Sequence, residues 1–238
     1  MIIKPDNEML SYSGRIDFDD RLAPVLVYAC SSIGMKFTGT SLKAVIANHR
    51  SCWTNELGYF IDGEQKRFTL SSDEEKKTYT LAEGLSEGTH ELLLFKRMDS
   101  CHTFTFYGFE IDDGAEVLPL PEKPKRKMEF FGDSVSCGEV SEAVAYVGKP
   151  DHDGEYSNSW YSYAWMTARK LNAQIHDTSQ GGISLLDDTG WFAAPHYKGV
   201  ESCYDKIEYH PDLGPTKPWD FSRYIPHVVV VAIGQNDN

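Results

Sequence analysis

Between residues 1 and 117 the apolar positions fall in short runs, several alternating with polar ones, and turn-forming residues cut each run. The runs lie at residues 22–30, 35–40, 43–48, 59–61, 67–70, 77–81, 90–96 and 103–111. Short strands at this spacing predict a β-sandwich of the jelly-roll kind. Asp62-Gly63 stands between two of them and predicts a hairpin, since both residues accept the positive φ of a tight turn. The texture changes at Leu118-Pro119-Leu120-Pro121-Glu122-Lys123-Pro124-Lys125-Arg126-Lys127. Three prolines and a basic cluster predict a stiff, solvated connector, so the chain divides into a domain over 1–117, a linker over 118–127 and a second domain over 128–238.

Past the connector the period switches. Tyr161, Trp165, Ala168 and Leu171 recur at helical spacing, so residues 159–171 read as a helix, with Ser157, Asn158 or Ser159 as its N-cap and Arg169-Lys170 near its end. Apolar segments flank it: 128–131 before, 173–177 after, and the valine-rich 227–233 further on, which reads as a central parallel strand. Strand, helix, strand and a further buried strand predict an α/β domain. Residues 187–220, broken by Gly and Pro and without periodicity, read as a long loop at a functional site.

Composition narrows the function classes. The 238 residues carry 23 Lys and Arg against 36 Asp and Glu, a formal charge of -13. Such a surface argues against nucleic acid or an anionic membrane as partner, whereas a neutral ligand such as a sugar is indifferent to it. No basic segment followed by an apolar core opens the chain, and no stretch is long enough to span a membrane. Five scattered cysteines without a CxxC pair fit reduced thiols in a cytoplasmic protein better than a disulfide framework or a zinc site. No metal or other cofactor is expected; Asp151-His152-Asp153-Gly154 lacks the remaining ligands of a calcium loop and reads as a polar surface loop. An exposed sheet edge in the first domain leaves a homo-oligomer open.

Candidate chemistry collects where the second domain's strands end. The first runs into Gly132-Asp133-Ser134, the second into Ser179-Gln180-Gly181-Gly182, the last into Gly234-Gln235-Asn236-Asp237. Parallel strands place such ends at one sheet edge, where open α/β folds bind ligands. A serine attacking an ester carbonyl creates an oxyanion that needs backbone N–H groups and a side-chain amide; Ser134, a glycine of the second cluster and Asn236 supply that set. Asp133 reads either as a turn or helix cap or as a proton-transfer group, the cap being preferred. Cys137 reads as a small buried thiol. Trp165 reads as core, while Trp191 and Trp219, in Gly- and Pro-rich surroundings, are candidates for a sugar-stacking wall.

These three clusters resemble the first three blocks of the SGNH (GDSL-like) hydrolases. The extended Gly132-Asp133-Ser134-Val135-Ser136-Cys137-Gly138, preceded by a β-rich domain, is similar to the family 2 carbohydrate esterases, jelly-roll plus α/β/α SGNH enzymes that remove acetyl groups from xylan and related sugars. The resemblance implies Ser134 as nucleophile and first oxyanion donor through its own N–H, Gly182 as second donor with Gly181 as the alternative, and the Asn236 amide as third. It implies an acetylated oligosaccharide as substrate and an acyl-enzyme mechanism. The family's fourth block, Asp-x-x-His, is absent from the 238 residues, and a serine needs such a base to attack. The α/β domain is therefore expected to be incomplete at its C-terminus, with the base on a longer protein or on a complementing C-terminal fragment, and residues 1–238 alone are expected to hydrolyse esters weakly or not at all. The alternative is a non-catalytic carbohydrate-binding protein with a relic hydrolase domain.

Overall fold

The computed structural model describes residues 1–147 and 153–237. Two antiparallel six-stranded sheets make up the first half. One runs Ile16–Asp17, Val25–Leu26, His102–Ile111, Leu42–Arg50, Lys77–Ala82, with Ile2–Ile3 also on His102–Ile111. The other runs Val117–Leu118, Ser32–Thr38, Thr89–Lys96, Glu56–Ile61, Glu64–Thr69, with Ser11–Ser13 also on Ser32–Thr38. Both contribute to a single core: Phe104, Phe106 and Leu42 from the first meet Ile33, Phe37 and Leu94 from the second. Two sheets facing each other across one apolar layer form a sandwich-like unit. The hairpin at Asp62-Gly63 is present, its φ values of 52° and 84° matching the right-handed strand twist. The run at 22–30 is strand only at Val25–Leu26. Pro24 has no N–H to give to a ladder, and Cys30 turns the chain at φ 63°.

A three-stranded parallel sheet follows, in the order Ala173–Asp177, Arg126–Gly132, Val228–Ala232. The valine-rich strand was expected at the centre and stands instead at the edge of the described sheet, with Val228, Val229 and Val231 exposed. The Arg126–Gly132 strand takes the centre because both neighbours pair with it. The helix expected over 159–171 divides into a 3-10 turn, Ser159–Tyr161, and an α-helix, Tyr163–Lys170. Ser162 sits between them in extended backbone (ψ 147°) and its hydroxyl accepts from Trp165 N, so this serine, not 157–159, caps the helix. Asn158 caps the 3-10 turn through Trp160 N.

The two halves pack directly. Ala29, Cys30 and Phe95 share a core with Met128, Phe130 and Trp165. Arg15 of the first half is buried beside Glu129 of the central parallel strand, with its Nη2 2.9 Å from Oε1. Among the described residues no helix is long and apolar enough to cross a membrane.

Candidate active site

Parallel pairing brings the ends of three strands side by side. Arg126–Gly132 ends at Gly132 and a four-residue helical turn, Ser134–Cys137, begins at once. Gly132 permits this, because a Cβ there would collide with Ser136 Oγ and lie 3.1 Å from the Ala232 carbonyl. Asp133 is buried and caps the turn, accepting from Val135 N at 3.0 Å, the capping role its position suggests. Ser134 is left partly exposed at the first helical position. Cys137 is buried beneath the turn.

The second cluster is threaded onto the first. Thr178 N donates to Phe130 O at 2.7 Å and Gln180 N to Gly132 O at 3.1 Å, carrying the parallel ladder past the end of the strand. A Cβ at Gly181 would lie 3.8 Å from Ser134 Cβ, so the glycine pair passes beside the serine. Gly182 adopts φ +74°, a conformation L side chains seldom take. Its carbonyl accepts from Trp191 N and Phe192 N, which folds the following loop back over it. The third cluster closes the set: Asn236 Nδ2 donates to Ile183 O at 2.9 Å and Asp237 Oδ1 accepts from Leu185 N at 2.7 Å. Ser134, Gly182 and Asn236 thus belong to three loops at the same sheet edge, each tied to the next.

A cavity of about 440 Å³ opens here, lined by Glu139, Gly181, Gly182, Trp191, His210 and Asp99 among others. Trp191 is 66% exposed and forms part of its wall. Trp219 does not join it: 6% exposed, this indole packs against Ile207 and Tyr224, with the Arg15 guanidinium 5.3 Å from its ring centre. Residues 187–220 form a long loop as expected, interrupted by the short helix Val200–Cys203 and the paired strands Lys206–Glu208 and Lys217–Pro218. Its residues Trp191 to Ala194, His210 and Asp212 face the cavity.

Sequence reasoning missed Glu139, His210 and Asp99, which carry no local motif and reach the cavity only through tertiary packing. Burial raises the Glu139 carboxyl to about 7, with the charges of Asp99 and Asp133 adding to the effect. His210 is held below the usual imidazole range by burial, which keeps it neutral at neutral pH, and its Nδ1 accepts from Asp212 N at 3.2 Å. His152 lies outside the described residues. No hydrogen bond joins any of the other seven histidines to Ser134: His49 meets Thr105, His90 meets Asp62 and Ser86, and His227 accepts from Lys127 N.

Among the described residues no group of three or more His, Cys, Asp or Glu side chains is placed to hold a metal ion. Of the Asp151-His152-Asp153-Gly154 segment, the first two residues lie outside the described chain, and Asp153 accepts from Thr54 N. The five cysteines are free thiols.

Residues 12–121 match the family described as Carbohydrate esterase 2 N-terminal. The chain is 32% identical over 233 residues to the cellulase/esterase CelE of Acetivibrio thermocellus, covering 98% of this chain and 27% of that protein. It is 27% identical to an acetylxylan esterase / glucomannan deacetylase of Cellvibrio japonicus, covering 87% of this chain and 58% of the relative. Among solved structures, a family two carbohydrate esterase from Clostridium thermocellum in complex with cellohexaose superposes with a TM-score of 0.82 at 30% identity, over 95% of this chain and 66% of the other. The chain therefore spans only part of each of these proteins.

Proposed function

We propose, for a chain that resembles the family 2 carbohydrate esterases along nearly its whole length, that it is a carbohydrate esterase removing O-acetyl groups from xylan-type oligosaccharides through a serine-bound acyl intermediate. The observation that carries this reading is the convergence of Ser134, Gly182 and Asn236 on three adjacent loops at one edge of a parallel sheet. Ser134 Oγ attacks the acetyl carbonyl. The carbonyl oxygen becomes an oxyanion, stabilised by the N–H groups of Ser134 and Gly182 and by the second N–H of the Asn236 amide. Each such donor is worth about 3 to 4 kcal/mol in comparable enzymes. The sugar alcohol then leaves and water releases acetate from Ser134.

Gly182 is preferred to Gly181 as donor because Gly181 N already donates to the Asp99 carboxylate at 2.7 Å. Trp191, exposed on the cavity wall, offers an apolar face to a pyranose ring; buried Trp219 has no such part. We place the base that deprotonates Ser134 outside the described residues, within which no imidazole is hydrogen-bonded to that hydroxyl. We place the division between the sandwich and the hydrolase part within 118–127 and read the sandwich as the family's jelly roll.

Two measurements decide the matter. A fluorophosphonate should label Ser134 in a polypeptide that extends residues 1–238 by an Asp-x-x-His segment, and the label should vanish in Ser134→Ala. The same polypeptide should release acetate from acetylated xylo-oligosaccharides, with residues 1–238 alone much slower. Oligosaccharide binding without labelling or acetate release would replace the esterase by a non-catalytic binding protein.

A further inference from the structure

The turn between the strands Thr89–Lys96 and His102–Ile111 belongs to the sandwich, yet it reaches the proposed oxyanion loop. Asp99 on this turn is 3% exposed. Its Oδ2 accepts from Gly181 N at 2.7 Å and from Gln180 Nε2 at 2.8 Å, and its Oδ1 accepts from Cys101 N at 2.9 Å. Gln180 is held by two further donors, one from the turn and one from the long loop: its Oε1 accepts from Ser100 Oγ at 3.1 Å and from Tyr209 Oη at 2.7 Å. The turn is held in turn by fully buried Lys96, whose ammonium donates to the carbonyls of Met98 and Asp99. A Cβ on Gly181 would lie 2.6 Å from Asp99 Oδ2 and 3.8 Å from Ser134 Cβ, so the loop is held between the carboxylate and the serine.

We propose that Asp99 is a positioning residue for the esterase reaction: it takes the Gly181 N–H, fixing the 180–181 peptide, and it holds the Gln180 amide, whose Nε2 also donates to Gly181 O at 3.1 Å and so orients the 181–182 peptide, leaving the Gly182 N–H as the one free for the oxyanion. The inference rests on the esterase reading and extends it, because it makes the sandwich a part of the hydrolytic site rather than a separate sugar-binding module. A carboxylate suits the task physically. It accepts three donors at once, two of them on one oxygen, and charge-assisted bonds to backbone N–H groups are stronger than neutral ones. Held in this way, the donor loop has no reorganisation left to undergo when charge develops.

The test compares the polypeptide that extends residues 1–238 by an Asp-x-x-His segment with its Asp99→Ala and Asp99→Asn variants, all first shown to be folded by circular dichroism. Hydrogen exchange read by NMR at the Gly181 amide should accelerate at least about tenfold in Asp99→Ala, with Asp99→Asn between it and wild type, because the asparagine oxygen retains part of the acceptor set. An alkylboronic acid, which forms a tetrahedral adduct on a serine hydroxyl, should bind Asp99→Ala about 10 to 100 times more weakly. Cello-oligosaccharide affinity should stay unchanged, a separation that a general loss of structure would not produce. Unchanged exchange at Gly181, or boronate and saccharide affinity falling together, overturns the role of Asp99. Failure of that extended polypeptide, with Asp99 intact, to bind boronate in a Ser134-dependent way overturns the esterase reading itself, and with it the purpose assigned to Asp99.

Discussion

At the residue scale, small atoms missing or protons retained decide what the site can be. Gly132→Ala introduces a Cβ into the space of Ser136 Oγ, within 3.1 Å of the Ala232 carbonyl, where backbone of a paired strand cannot yield cheaply. It should lower stability by roughly 1 to 3 kcal/mol, as overpacking does, with a drop in urea midpoint as the readout. Asp177 shows the second effect. Burial raises its carboxyl to about 7, the Asp99 charge adds to this, and the hydrogen bond from Cys30 Sγ opposes it. Its folded pKa therefore lies above the ordinary value of 3.8. A raised pKa means the fold binds the proton more tightly than the unfolded chain, so this stabilising contribution is complete below about 3.8 and is lost as pH rises through about 7. Asp177→Asn, which mimics the neutral acid, should remove that dependence. Melting temperatures of the two proteins, followed from pH 5 to 8, should diverge in favour of the variant; parallel curves would mean Asp177 ionises as easily folded as unfolded.

At the element scale, the parallel strands and their polar ends were legible because each carries a local signature: an apolar run, then Gly, Ser or Asn at the break. The Asp62-Gly63 hairpin was legible for the same reason. What was not legible depends on partners distant in sequence. Nothing near Trp219 says that Arg15, about two hundred residues earlier, will pack on its ring, so its Gly- and Pro-rich surroundings misdirect. Asp99 and Glu139 likewise acquire meaning only when the sandwich turn folds onto the second glycine loop. The valine strand pairs in parallel with Arg126–Gly132, as its Val-rich composition suggests.

At the scale of the whole molecule, the sandwich and the parallel sheet are bound by a shared core and by polar contacts that include a fully buried charge pair, so their stabilities are not independent. Arg15 and Glu129 are 1% and 2% exposed. The guanidinium donates from Nε to Glu129 Oε1 at 3.1 Å and from Nη1 to the carbonyls of Tyr204 at 2.6 Å and Lys206 at 3.0 Å. A single side chain from the first half therefore holds the central parallel strand and the long loop of the second. Removing it leaves Glu129 charged, buried and without its guanidinium, a change that costs about 3 to 5 kcal/mol, whereas replacing both partners with apolar groups of similar volume costs far less. Arg15→Met should accordingly destabilise the chain severely, and Arg15→Met combined with Glu129→Leu should recover much of the loss. Urea unfolding followed separately by the tryptophans of the second half and by far-ultraviolet circular dichroism, dominated by the sandwich strands, should give one coincident transition in the wild type. In Arg15→Met the two probes should separate, the second half melting first, because the pair and its carbonyl contacts tie the central parallel strand and the long loop to the sandwich. Coincident transitions in that variant would mean that the apolar core of Phe95, Phe130 and Trp165 couples the halves unaided.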